Sequence, residues 1–214
     1  MILLEKLNRR EAMRYLGGAD VTLTESMNRL MDECEQEILK NAAPKYLYTV
    51  IGLPCDEITL GSAVKKHLEG CERAVMMCAT LGAEIDRLIR VAQIRDMARA
   101  VVLDSFASVA IEQVCGKVDE EIAEIFPDWH MTFRFSPGYG DYPIEMQKLF
   151  LQRLDAARKI GLSTNESFLL TPVKSITAIA GLSRSPIERK KRGCAVCNLR
   201  KTCQYRENGE HCGF

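Results

Sequence analysis

Between residues 25 and 40 the apolar side chains of Met27, Leu30, Met31, Cys34, Ile38 and Leu39 recur at the spacing of one helical face. Thr24 stands where it can cap that helix, and Ala43-Pro44 marks its end. A shorter helical segment precedes it over 6–16 and is closed by Gly17-Gly18. Residues 46–53 are rich in β-formers and predict a strand, which 58–60 is expected to extend; 74–80 predicts a second, continuously apolar strand. Gly61-Ser62 opens a short helix that ends near Glu69-Gly70, and Leu81-Gly82 turns the second strand into a long helical region. No repeat, low-complexity tract or coiled-coil heptad interrupts this order.

The long helical region contains an anomaly. From 96 to 126, Met97, Ile111, Val114, Val118, Ile122 and Ile125 define a predicted core-facing stripe, and Asp104 falls on it, seven residues from both Met97 and Ile111. A carboxylate on an apolar face needs a cation or several donors, so Arg134 or a cationic ligand is the expected partner; a bend that exposes Asp104 is the alternative.

Arg134 opens the ten residues RFSPGYGDYP, whose two glycines, two prolines and two tyrosines predict a shaped loop. Ser136 precedes a proline, and Pro137-Gly138 suits the centre of a type II turn. Gly140 permits close backbone approach, and Pro143 is placed to begin an amphipathic helix over 144–160. Arg134, the tyrosines and free backbone N–H groups are thereby expected to meet at a helix entrance, a favourable place for a ligand carboxylate.

RFSPGYGDYP resembles the Arg-x-x-Pro-Gly-Tyr-x-x-x-Pro signature of the S-adenosylmethionine-binding activation domain of cobalamin-dependent methionine synthase. Two further blocks keep the family's order. SFASVAIEQV resembles the helix before the signature, and IGLSTNESFLLTPVKSITAIAGLSRSP resembles the block after it. The resemblance is specific over 101–186 and looser over 7–82.

This resemblance implies an α+β fold, a single twisted antiparallel sheet surrounded by helices, with 1–186 as the activation-like domain and 187–214 as a short Cys-rich appendage. It implies that Asp104 and Glu112 hold the ligand's amino group, with Arg134, Pro137, Gly138, Tyr139 and Gly140 completing the S-adenosylmethionine site. Two departures stand out. Ser108 replaces a frequent glutamate, and Gly140-Asp141-Tyr142-Pro143 replaces Pro-Ala-Cys-Pro, so Asp141 is a candidate to restore the lost charge. The family's chemistry is reductive remethylation: one electron converts cob(II)alamin to cob(I)alamin, whose cobalt attacks the S-methyl group. The domain then acts by positioning and supplies no general base. His67, His130 and His211 lie far apart in sequence, and no Ser-His-Asp arrangement is evident.

Length and composition narrow the reading further. The 214 residues, 47% of them hydrophobic, suffice for one large core but not for the family's homocysteine, folate and cobalamin modules. No Asp-x-His-x-x-Gly corrinoid-ligand motif is present, so a separate cobalamin-binding methionine synthase or corrinoid protein is the expected partner. Twenty-nine basic residues balance 29 acidic ones and point to neither nucleic acid nor membrane; with no apolar leader, a cytoplasmic location is expected.

Nine cysteines, an odd number, argue against a disulfide scaffold. Five are scattered among apolar neighbours, whereas Cys194, Cys197, Cys203 and Cys212 crowd the last 21 residues as Cys-x2-Cys-x5-Cys-x8-Cys. Four thiolates suit an iron-sulfur cluster or, alternatively, zinc, and a low-potential cluster would deliver the reactivating electron in concert with an electron donor. Two other classes remain open: a non-catalytic module that docks on a corrinoid protein, and an electron-transfer accessory in which the cysteines alone act.

Overall fold

The computed structural model describes residues 2–17 and 22–187. Its elements run α1 (Arg9–Tyr15), α2 (Glu25–Asn41), β1 (Lys45–Gly52), α3 (Ser62–His67), β2 (Arg73–Thr80), α4 (Ala83–Arg95), α5 (Met97–Ile125), β3 (His130–Met131), α6 (Met146–Leu154), α7 (Ala156–Ile160), β4 (Ser163–Thr164), β5 (Leu170–Thr171) and β6 (Ser175–Ser183). Four strands form one antiparallel sheet in the order β1-β2-β6-β3, and β4 and β5 form a separate hairpin. This is the α+β fold that the resemblance implies.

Local chemistry explains the boundaries. Thr24 accepts a hydrogen bond from Met27 N and starts α2. Asp96 ends α4 and caps α5, its carboxylate accepting from Arg99 N at 3.1 Å. Between Arg73 and Thr80 β2 is apolar because both its faces are covered. Val75, Met77 and Ala79 join the core beneath α1, α2, α4 and α5, while Ala74 and Met76 join a second core built with α3, α6 and Tyr142. Cys78 continues that side into a small cluster with Leu151, Leu154, Ala156 and Leu162.

Three expectations need correction. Residues 58–60 form no strand; Ile58 and Thr59 N both donate to Cys55 O in a turn, and Ile58 is buried from there. The run over 144–160 is two helices, because Asp155 takes a left-handed conformation (φ 55°). The first begins at Met146, after a tight turn in which Met146 N donates to Pro143 O.

Thirdly, the stripe on α5 fails at its ends. Met97 is 61% and Ile125 53% exposed. A helix of 29 residues is about 43 Å long, against roughly 27 Å for an eight-residue strand, so its terminal turns overrun the sheet. Met97, Val101, Asp104 and Glu112 are all exposed, with Ser108 half-buried among them, so Asp104 lies on the open side of α5. Ile111, which drifts around the helix relative to Asp104, is buried.

Candidate functional site

The loop after β3 is held by two linked turns. Tyr139 N donates to Ser136 O at 3.3 Å across Pro137-Gly138, and Gly138 has φ 92°, the type II geometry. Tyr142 N then donates to Tyr139 O at 3.0 Å, and Gly138 N to Tyr142 O at 2.8 Å. These N–H groups therefore serve the loop itself. The first turn of α6 is likewise occupied, because Gln147 N and Lys148 N donate to Ile144 O and Glu145 O. The expected meeting of Arg134 with free donors at a helix entrance is not what the chain builds.

Asp141 fixes the loop to α3. Its carboxylate accepts from Ser62 N at 2.7 Å, Ser62 Oγ at 2.6 Å and Ala63 N at 2.8 Å. Those bonds, led by the Ser62 hydroxyl, pull its pKa from 3.8 down to about 2. The expectation that Asp141 replaces charge lost at Ser108 is corrected accordingly: this carboxylate is committed to a helix N-terminus. The close approach needs glycine on both sides. A Cβ at Gly61 would stand 2.6 Å from Asp141 O, and one at Gly140 would stand 2.9 Å from Ala63 Cβ.

Tyr142 anchors the same loop from beneath. It is 1% exposed, donates to Ile58 O at 2.9 Å and lies between Phe135 and Phe150, with ring centroids 6.1 and 6.5 Å away. Phe135 also stacks on His67. Tyr139, 68% exposed and 6.5 Å from Phe135, ends this aromatic series at the surface and offers a flat face to solvent.

Arg134 points to α5. Its guanidinium donates to Glu112 Oε2 at 2.7 Å and also to Asp119, which places two carboxylates of α5 on one cation. Glu112 is the more exposed partner, at 50% for its side chain against 29% for Asp119. Cys115 lies close to this group, but burial pushes its thiol up to about 12 and leaves it a neutral packing residue.

Asp104 has a different partner from the one expected. Lys174, just before β6, is held by Asp104 Oδ1 at 2.8 Å, Ser108 Oγ at 2.9 Å and Asp104 O at 3.2 Å. Only 12% of the Lys174 side chain is exposed, so its three donors are used in a nearly closed setting. Asp104, Ser108 and Glu112 thus form one line along α5, with Lys174 at one end and Arg134 at the other. A pocket of about 250 Å³ opens beside the Lys174 end, lined by Tyr15, Gln93, Met97, Asp104 and Ser108 among others.

Sequence reading missed Asp119 and Lys174. Asp119 stands seven residues after Glu112, a spacing that places both on one helix face. Lys174 carries no comparable local signal. No group of three or more metal-ligating side chains occurs among the described residues, and Cys194, Cys197, Cys203 and Cys212 lie outside them. No helix among the described residues is long and apolar enough to cross a membrane.

A four-stranded antiparallel sheet with helices on both faces, and a loop after β3 that sends Arg134 to the long helix α5, defines the class: a single α+β domain. Among solved structures, it is similar to the MetH reactivation domain bound to AdoHcy. The likeness has a TM-score of 0.57 at 15% identity and covers 90% of this chain and 76% of that chain. It shows the fold. No protein-family model and no curated protein matches the sequence.

Proposed function

We propose that this chain binds S-adenosylmethionine along α5 and supports reductive remethylation of cob(II)alamin carried by a separate cobalamin-dependent methionine synthase or corrinoid protein. One observation carries the reading: within a reactivation-domain fold, Arg134 of the signature reaches the carboxylates of Glu112 and Asp119 while Pro137, Gly138 and Tyr139 are held in a fixed turn.

The ion pair suggests how an amino-acid zwitterion would enter. Glu112 is the half-exposed partner and Arg134 also pairs with Asp119, so exchanging Glu112 for a ligand carboxylate keeps the guanidinium partnered throughout. Glu112, once released, faces the ligand's ammonium group, and Asp119 stays on the guanidinium. Tyr139 and the Pro137 to Gly140 backbone supply a flat wall and Asp104 the remaining negative charge. The chain positions the methyl group and donates no proton, consistent with a partner whose cobalt is the nucleophile. Cys194, Cys197, Cys203 and Cys212 would carry an iron-sulfur cluster or zinc, a proposal that rests on their spacing alone.

Lys174 favours a second reading, a docking module that no longer transfers methyl groups, because its ammonium already occupies Asp104 and Ser108. Anaerobic incubation with a corrinoid protein, a one-electron reductant and S-[methyl-14C]-adenosylmethionine separates the two. Radiolabel on the corrinoid that depends on this chain supports remethylation. Absence of label despite a stable complex with the corrinoid protein supports docking.

A further inference from the structure

Among the described residues β1 is an edge strand, and its pairing parity shows which backbone groups face away from β2. Leu53 N donates to Glu72 O at 3.0 Å, in line with the β1–β2 register that places Lys45 opposite Thr80 and Thr49 opposite Met76. Odd-numbered residues of β1 therefore turn their N–H and C=O groups toward β2, and Tyr46, Tyr48, Val50 and Gly52 turn theirs away. Among the described residues no hydrogen bond joins these outward groups to another element. Residues between Lys45 and Gly52 are half-buried, and no atom lies within 4 Å of where a Cβ at Gly52 would stand.

Edges of this length are normally protected by charge, proline or a bulge. Beyond Lys45 at its first position, none interrupts this one. Tyr46 to Gly52 carries no ionisable acid or base other than its tyrosines, and Pro44 and Pro54 lie outside the strand, equidistant from Thr49. We infer that β1 pairs antiparallel with β1 of a second copy of this chain about a two-fold axis at Thr49, joining the two sheets into one.

The strand's own sequence is the argument for a second copy as the occupant. With the axis at Thr49, Tyr48 lies opposite the partner's Val50 and Tyr46 opposite the partner's Gly52. Every outward N–H then finds an outward C=O, and none is left over. The side chains match as well. Thr49 meets its own counterpart, Tyr48 gains a β-branched neighbour, and Tyr46 covers a glycine, all favourable cross-strand pairs. Moving the axis by one residue, to Tyr48 or Val50, would set Gly52 opposite Pro44 or Tyr46 opposite Pro54, neither of which has an N–H to donate; moving it by two would carry two outward residues past the end of the partner strand.

Val50 N points outward, so Val50→Pro removes a donor that β1–β2 pairing does not use, while Thr49→Pro removes one that it does. Sedimentation velocity of the full chain over a wide concentration range is expected to give twice the 24.1 kDa chain mass, and Val50→Pro the single mass with an unchanged circular dichroism spectrum. Opposed Thr49 Cα atoms in such a pair sit about 4.5 Å apart, within disulfide reach. Thr49→Cys is thus expected to cross-link into a covalent dimer on mild oxidation, with the wild type and Thr49→Ser as controls for the native cysteines. A wild type that stays monomeric throughout, or a folded Val50→Pro that dimerises as well as the wild type, overturns the inference. Should Val50→Pro fail to fold, absence of a Thr49-dependent cross-link does the same.

Discussion

The signature loop and the polar line along α5 are joined through Arg134 but are held in opposite ways. The loop is fixed from several directions at once: Asp141 caps α3, Tyr142 is buried between two phenylalanines, and Gly61 and Gly140 allow contacts that a Cβ would block. The α5 line is held by ion pairs whose carboxylates remain half-exposed, Glu112 at 50% and Asp104 at 56%. A template and an exchangeable set of charges thus meet at Arg134. Substitutions in the first are expected to act on stability, and substitutions in the second on ligand affinity.

The largest effect is expected at Tyr142. Tyr142→Ala removes a fully buried ring and its bond to Ile58 O, and should cost about 3–5 kcal/mol in denaturant unfolding. Gly61→Ala comes next, at about 1–3 kcal/mol, because φ is 101° there and the new methyl would press on Asp141 O. A change of less than about 0.5 kcal/mol in either variant would break the contrast, since the loop would then not be fixed as described. Glu112→Gln sharpens it from the other side. Stability should move by no more than about 1 kcal/mol, while S-adenosylmethionine affinity falls roughly tenfold, about 1.4 kcal/mol, measured by calorimetry.

Asp141 gives the smallest and most diagnostic signal. Its folded pKa of about 2 lies below the ordinary 3.8, so the stability it contributes is present above pH 3.8 and disappears as pH falls through the interval to about 2. Asp141→Asn should flatten the pH dependence of the unfolding midpoint within that window and leave its slope unchanged above it. An equal slope in wild type and variant would place the carboxylate outside the α3 cap.

Much of the fold was legible because local signals agreed with tertiary needs. Thr24 capped α2 as its position suggested, the apolar run of β2 reflected a strand covered on both faces, and Pro137-Gly138 made the turn its residues favour. The misreadings share a cause in long-range geometry. Asp155 breaks the α6–α7 helix by taking a left-handed conformation rarely occupied by non-glycine residues, and Met97 is exposed because α5 outruns the sheet. Ion-pair partners were the least legible feature. Asp104 to Lys174 spans 70 residues, and Arg134 chose Glu112 and Asp119 over Asp104 because those two are the carboxylates of α5 within its reach.

The account's central claim is that Arg134 organises an S-adenosylmethionine site on α5. Isothermal titration of anaerobically purified wild type and Arg134→Ala with S-adenosylmethionine tests it most directly, with circular dichroism confirming that both are folded. The account predicts saturable one-to-one binding by the wild type and none by Arg134→Ala. Equal affinity in the two proteins, or no binding by folded wild type even with a corrinoid protein present, would contradict it.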